Sequence, residues 1–181
     1  MHHIVLVEIG RVDEDVLYYL REKLENYLPV NVSFHHLDIR RIKSCYDRRR
    51  GQYFSPMVLD VLIRLAFSLR GVDRVIGLAD VDAYSGALNF VFGEALLNGP
   101  AAVVYLTRLN PEFYGEEFDE DLFLERVYKE VLHELGHTYG LMHCRNYCVM
   151  VFSNSIFDTD YKPPRYCENC YEKVIARISK R

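Results

Sequence analysis

Residues 133–143 read HELGHTYGLMH, and this stretch decides how the rest of the chain can be interpreted. It ends a long helical pattern in which apolar residues recur at spacings of three and four from Leu124 to Thr138. At about 100° per residue, His133 and His137 lie opposite that stripe and side by side. The pattern predicts a helix that packs on a sheet while two imidazoles share a metal ion in a cleft.

The residues after this helix supply a third imidazole. Gly140 accepts the left-handed backbone that ends many helices, and His143 follows three residues later. A chain reversal at Gly140 would bring His143 back to the same ion. Three neutral imidazoles leave one tetrahedral position open, which is typical of a catalytic zinc, and HExxHxxGxxH is a zincin signature.

Glu134 follows the first histidine and is rotated away from both helical imidazoles, so it is better placed to contact a metal-bound water than the metal. Zinc lowers the pKa of bound water to about 7 and polarises a substrate carbonyl. A carboxylate beside that water can take its proton and pass it to a leaving amine. The motif therefore predicts amide hydrolysis with Glu134 as the catalytic residue.

A second set of metal ligands begins directly after His143. Four of the five cysteines form two close pairs, namely Cys144, Cys148, Cys167 and Cys170. Such pairs, about twenty residues apart, are typical of tetrahedral zinc sites, and four thiolates leave no room for substrate. Neighbouring side chains of an extended segment point to opposite sides, so His143 and Cys144 can face different ions. The sequence predicts two zinc ions per chain, one catalytic and one structural.

Composition excludes several classes of protein. The chain has 181 residues, of which 50% are hydrophobic, and its net charge of −4 leaves no basic surface for nucleic acid. The apolar run near its start is too short for a signal peptide or a membrane span. Five cysteines without a disulfide pattern fit the cytoplasm. We expect a cytoplasmic monomer that binds neither nucleic acid nor membrane.

Short apolar runs alternate with helical patterns, which predicts one α/β, or α+β, domain over residues 1–181. The predicted strands are 3–9, 30–37, 74–78, 87–92 and 101–106; the predicted helices are 13–27, 56–70, one from 119–121 through the motif, and 172–178. Residues 40–52 are basic and irregular and predict a loop. Residues 1–140 would form the upper part with the active-site helix, and residues 141–181 a C-terminal part with the cysteine zinc and the last helix.

The metal motifs together resemble those of the archaemetzincins, a branch of the metzincin metallopeptidases. The resemblance rests on HELGHTYGLMH, on the first cysteine pair with Met150, and on CENC at 167–170. It extends to RRGQY at 49–53, LNFVFGEA at 88–95, RLNPEFYG at 108–115 and FSNS at 152–155. One departure is that only three residues separate Cys144 from Cys148, where the family has a longer spacing.

The resemblance implies a metzincin-like zincin fold, in which a twisted mixed sheet with packed helices precedes a small C-terminal subdomain around the cysteine zinc. It implies catalytic zinc on His133, His137 and His143, Glu134 as base and acid, and the four cysteines on a second zinc. It implies a Met-turn at Met150, a hydrophobic floor beneath the metal. It also implies an upper cleft edge that pairs with an extended peptide. The residues of that edge are Leu88, Asn89, Phe90, Val91 and Phe92.

Three functions remain open from the sequence. The first is a zinc endo- or aminopeptidase acting on a peptide or small protein. The second is a zinc-binding module that binds peptides with weak or no catalysis, and the third is a zinc hydrolase of a non-peptide amide. Glu134 favours the two enzymes, because a binding module needs no base there. The basic residues between Arg40 and Arg50 could hold a substrate carboxylate or form a solvated surface.

Overall fold

A mixed β-sheet forms the centre of the chain in a computed structural model that describes residues 1–180, so Arg181, which ends the predicted domain, lies outside the described residues. The strands are β1 (His2–Ile9), β2 (Val30–Leu37), β3 (Tyr46–Asp47), β4 (Gln52–Phe54), β5 (Arg74–Ala79), β6 (Ala83–Tyr84), β7 (Gly93–Ala95) and β8 (Ala101–Tyr105). The α-helices are α1 (Glu14–Tyr27), α2 (Ser55–Ser68), α3 (Glu120–Thr138), α4 (Ile156–Tyr161) and α5 (Glu168–Ile178). Short 3-10 helices cover Ile39–Cys45, Thr107–Leu109 and Pro111–Tyr114.

The larger sheet has the strand order β2-β1-β5-β8-β7. Its first four strands are parallel, and β7 pairs antiparallel with β8 at one edge. The inner strands β5 and β8 are covered on both faces, which is why their sequences are apolar at nearly every position, whereas the edge strand β2 alternates apolar and polar residues over its first half. A second, smaller sheet contains β3, β4 and β6. The prediction of a mixed α/β architecture is confirmed.

Helices cover both faces of the larger sheet. Ile4 and Leu6 of β1 pack in the cluster that includes α1, α3 and α5, whereas Val5 and Val7 pack in the cluster that includes α2. The two-residue alternation of a strand sends neighbouring side chains to opposite faces and so divides the core into these two layers. Over the described residues, no helix combines the length and the apolar character needed to cross a membrane.

Helix α3 begins and ends where its sequence predicts. The Asp119 side chain accepts a hydrogen bond from the Leu122 N–H at 3.0 Å, which caps the first turn. At the other end Gly140 has φ +88°, and the Leu141 N–H donates to the Gly136 carbonyl at 3.0 Å. This left-handed turn reverses the chain directly after the motif helix.

The strand predicted at 87–92 is wrong, since the antiparallel edge strand is β7. The Val91 N–H donates instead to the Ala83 carbonyl at 3.0 Å, and side chains of Arg50 and Gln52 donate to the Asn89 carbonyl. These contacts occupy the Val91 N–H and the Asn89 carbonyl, which would otherwise be available for pairing with a neighbouring strand. Regular pairing therefore begins only at β7.

Two other boundaries differ from prediction. Residues 40–52 are not one loop, because the 3-10 helix Ile39–Cys45 is capped by Asp38, and β3 and β4 follow as a hairpin. The last helix begins at Glu168, four residues before the predicted start. Helix α4 was not predicted; Ser155 and Asp158 form its capping box.

Candidate active site and cysteine cluster

The three histidines of the motif meet at one point of a cleft, and their ligand nitrogens lie within 4.8 Å of one another. The Nε2 atoms of His133 and His137 are 3.1 Å apart. The ring of His143 lies 5.4 Å from that of His133 and 5.0 Å from that of His137, measured between centroids. The turn at Gly140 thus brings the third imidazole back to the two on α3.

The orientation of the imidazoles indicates what this cluster can bind. Nδ1 of His133 donates to the Val149 carbonyl at 2.8 Å, and Nδ1 of His137 donates to the Leu141 carbonyl at 2.7 Å. A carbonyl only accepts, so both Nε2 atoms of the neutral rings present lone pairs to each other. Burial lowers the pKa of both histidines and favours this neutral state. Opposed lone pairs at this distance repel unless a cation lies between them, and three neutral imidazoles fit zinc.

Met150 packs against α3 at Gly136. Its side chain is fully buried, and a Cβ added to Gly136 would overlap its sulfur atom. The Cys144 N–H donates to the Met150 carbonyl at 2.9 Å, which closes the loop that carries Cys144 and Cys148. This arrangement places a methionine where the resemblance implies a Met-turn, and its role as a floor stays a prediction.

Glu134 lines the same cavity as the three histidines and is only 5% exposed. Burial raises the pKa of Glu134 well above its ordinary value, and the neighbouring Glu130 adds to that effect, while the Lys162 ammonium opposes it. A carboxyl group with a raised pKa is suited to accept and return a proton during a reaction.

Gly93 of the edge strand leaves space for the Glu134 side chain. A Cβ at Gly93 would lie 2.7 Å from Cγ and 2.8 Å from Oε1 of Glu134, and 2.8 Å from the Val103 carbonyl oxygen. The carbonyl belongs to the β8 backbone and cannot move aside cheaply. Either the Glu134 side chain or the backbone of β7 would have to shift.

Replacing Gly93 by alanine is therefore expected to lower peptide turnover by about 10²-fold, because misplacing a reacting group by about 1 Å can cost that much. The measurement is kcat at a known zinc content, since zinc bound to the three histidines should be unchanged. Wild-type turnover in Gly93→Ala would show that the contact with Glu134 does not matter.

The cleft beside the histidines has a volume of about 500 Å³. The predicted edge residues 88–92 line it, although they do not form a strand. Met142 and the segment from Phe152 to Asn154 line it as well. The Phe152 ring lies 4.9 Å from that of His143, so the apolar wall reaches the histidine cluster.

A buried ion pair lies behind the motif. The Lys162 ammonium is 2.9 Å from Glu130 Oε1, and their side chains are only 1% and 3% exposed. The contact is an ion pair without the geometry of a directed hydrogen bond, and the Thr159 hydroxyl donates to the same oxygen at 2.9 Å. Glu130 lines the cavity one helical turn before Glu134, so the pair ties α4 and the residue after it to α3.

The Lys162→Met variant is expected to lose about 3–5 kcal/mol of unfolding free energy, because it leaves the Glu130 carboxylate buried without its partner. Urea unfolding measures this loss. Lys129→Met is a matched control, since Lys129 is also buried but its partner Glu125 is 49% exposed and can be solvated. An equal loss in the two variants would contradict the account.

The four paired cysteines form a second cluster, whose sulfur atoms lie within 4.8 Å of one another. Its members are Cys144, Cys148, Cys167 and Cys170, and all are free thiols. The sulfurs of Cys144 and Cys167 are 3.9 Å apart. His143 and Cys144 therefore enter two separate clusters although they are consecutive in the chain.

Backbone N–H groups point at the sulfur atoms. The N–H groups of Met150 and Cys167 donate to Cys148 Sγ at 3.5 and 3.2 Å. Burial opposes ionisation of the Cys167 thiol, but hydrogen bonds from the Cys170 N–H and the Asn146 side chain outweigh it and lower its pKa to about 7. Four thiols with N–H donors suit a closed tetrahedral zinc site. Cys45 is buried with the α2 layer, apart from this cluster.

Sequence reasoning missed three residues at this site. Glu130 could have been noticed, because it precedes Glu134 by four residues and so lies on the same helical face. Lys162 gives no such signal, since its burial depends on a short helix that was not predicted. Gly93 appears important only once β7 and α3 are seen in contact.

The chain resembles known peptidases over nearly its full length. The sequence model of peptidase family M54 matches residues 11–176. A curated archaemetzincin from Pyrococcus furiosus is 42% identical over 182 residues, which cover 98% of this chain and 94% of that protein. The crystal structure of archaemetzincin from Methanopyrus kandleri has a TM-score of 0.84 at 36% identity and covers 99% of this chain and 97% of that one. A zinc-dependent peptidase from Methanocorpusculum labreanum has a TM-score of 0.85 at 27% identity, with 94% of this chain and 99% of the other covered.

Proposed function

This chain belongs to the archaemetzincins, peptidase family M54, and is therefore a zinc metallopeptidase. We propose that it cleaves peptide bonds with one catalytic zinc on His133, His137 and His143 and with Glu134 as base and acid. One observation carries the proposal. The opposed lone pairs of His133 and His137 leave space for a cation, and the Glu134 side chain lines the same cavity.

The zinc ion would lower the pKa of a bound water and polarise the substrate carbonyl. The Glu134 carboxylate takes a proton from the attacking water as the new C–O bond forms. It then delivers that proton to the amide nitrogen as the C–N bond breaks, which leaves an acid and an amine. The surroundings of Glu134 favour each form in turn, since the nearby Lys162 ammonium favours the carboxylate that accepts the proton and burial favours the protonated carboxyl that forms between the two steps.

The substrate is a peptide, and we propose that it lies extended along the cleft edge. β7 is the last strand in the order of the larger sheet, so its outer backbone groups can pair with an added strand. The segment 88–92 precedes it on the same side of the cavity. Phe90, Phe92 and Phe152 offer apolar contacts to side chains of that peptide.

The cysteine cluster is proposed to hold a second, structural zinc. Four thiolates would complete its coordination and leave no position for water or substrate. Because Cys144 follows His143 directly, this zinc would hold the third catalytic ligand in place and tie it to α5 through Cys167 and Cys170.

The expected test result is cleavage of a diverse peptide library by the wild type and none by Glu134→Ala at equal zinc content. The peptide-binding module has less support than the peptidase, because it does not require a buried carboxylate beside the histidines. We also propose that the protein is a single domain over residues 1–181, that it is a cytoplasmic monomer, and that it binds neither nucleic acid nor membranes.

A further inference from the structure

The segment 88–92 lines the cleft, but few backbone ladder bonds hold it. Leu88 N–H donates to the Ser85 carbonyl within a turn at 3.0 Å, and the Phe92 carbonyl accepts from Tyr105 N–H at 2.8 Å. Between these ends the Val91 N–H donates to the Ala83 carbonyl at 3.0 Å, and the other contacts come from side chains of distant parts of the chain. The position of this edge therefore depends largely on those side chains.

The Asn89 carbonyl accepts two hydrogen bonds from the stretch RRGQY. Gln52 Nε2 donates at 2.9 Å and Arg50 Nη2 at 3.1 Å. Gln52 is buried, its Nε2 also donates to Asp82 Oδ2 at 3.1 Å, and its Oε1 accepts from Arg50 Nε at 3.1 Å. Both N–H groups and the oxygen of the amide are thus used, which fixes its orientation.

Asp82 connects these hydrogen bonds of Arg50 and Gln52 to Arg108. Arg108 donates to both of its carboxylate oxygens, at 2.6 and 2.8 Å. The Arg108 guanidinium also stacks 4.4 Å from the Phe90 ring and 4.8 Å from the Phe113 ring. Phe90 in turn meets Phe92 edge-on at 5.1 Å, so these two aromatic residues of the cavity wall are held in one arrangement.

Arg50 is occupied within the chain. Besides its bonds to Gln52 and Asn89, its guanidinium lies 4.0 Å from the Tyr84 ring, and the Tyr84 hydroxyl donates to Asp47 at 3.0 Å. These contacts favour a role in structure over the grip on a substrate carboxylate that the basic residues 40–50 left open for Arg50.

We propose that Arg50, Gln52, Asp82 and Arg108 are positioning residues that preform the cleft edge at 88–92 for an extended peptide. The inference rests on the proposed peptidase function. An edge fixed in advance spares the substrate the entropy cost of ordering it. Loss of the contacts that these four residues make should therefore weaken substrate binding and leave the chemical step, which occurs at Glu134, unchanged.

The test is Gln52→Glu, which keeps the side-chain shape and replaces the Nε2 donor by an acceptor facing Asn89 and Asp82. We expect faster amide hydrogen exchange at 88–92 and a KM about tenfold higher, since a buried hydrogen bond of this kind is worth roughly a factor of ten. The kcat and the zinc content should equal those of the wild type. The substrate is the peptide that the wild type cleaves fastest in a mixed library.

Arg50→Gln is the second variant, at an exposed position where folding is not at risk, and it should raise KM in the same direction. Arg49→Gln is its matched control, because it removes the same charge from the exposed neighbouring residue. Unchanged KM in both Gln52→Glu and Arg50→Gln, or equal changes in Arg50→Gln and Arg49→Gln, would overturn the inference while the function stands. If the wild type cleaves no peptide, the proposed function fails. In that case unchanged exchange at 88–92 in Gln52→Glu overturns the positioning role, and faster exchange supports it.

Discussion

The Glu134→Ala variant is expected to bind as much zinc as the wild type and to cleave peptides about 10²–10⁴-fold more slowly, the range that general acid–base catalysis usually contributes. Glu134 is not among the clustered imidazole ligands, so its loss should spare the metal. Neither of the other carboxylates that line the cavity is proposed to take its place, because Glu130 is paired with Lys162 and Glu94 accepts a hydrogen bond from the Ser85 hydroxyl at 3.0 Å.

The measurement compares kcat of wild type, Glu134→Ala and Glu120→Ala on one peptide, with zinc determined in each preparation. Glu120 is an exposed carboxylate in the first turn of the same helix, so its removal should leave turnover unchanged. Wild-type kcat in Glu134→Ala with zinc present would place the base elsewhere and refute this mechanism.

The Cys170→Ser variant is expected to lose one zinc ion per chain and to disorder the C-terminal part after residue 141. Structural zinc contributes on the order of 10–16 kcal/mol in isolated zinc fingers. Here the sheet, α1 and α3 supply most of the core that α5 also joins, so the loss should be concentrated near α5 and the loop of Cys144 and Cys148. Catalysis should also fall, since His143 precedes that loop directly.

Zinc content and hydrogen exchange at 141–180 are the measurements for this variant. Cys45→Ser is the matched control, because Cys45 is 3% exposed and lies in the α2 layer. It should keep all its zinc and the wild-type exchange pattern. Cys170→Ser with full zinc content and unchanged exchange at 141–180 would contradict a structural role for the cluster.

Features that depend on neighbouring residues could be predicted from the sequence. Helix α3 follows from its apolar spacing and the cap at Asp119, and its end follows from Gly140. The grouping of the histidines and of the cysteines follows from spacing alone, because ligands of one ion must be close in space. β1 was predictable from its compact apolar run, and β2 from the alternation of Val30, Val32 and Phe34 with polar residues.

Features that depend on contacts between distant residues could not be predicted in this way. The edge strand begins at Gly93 because side chains of Arg50 and Gln52 occupy the backbone before it. Lys162 carries a charge and yet is buried, because it pairs with Glu130, which lies on another helix. The space that Gly93 leaves for Glu134 depends on how β7 packs against α3.

The most direct test of the account is zinc K-edge X-ray absorption with metal analysis, on the wild type and on a His133→Ala/His137→Ala double variant. The account predicts two zinc ions per chain in the wild type, one for each ligand cluster, with nitrogen and sulfur shells. In the variant it predicts one remaining zinc with sulfur ligands only, at about 2.3 Å. A variant that has lost all its zinc, or whose remaining zinc still has nitrogen ligands, would contradict the division of this stretch between two metal centres.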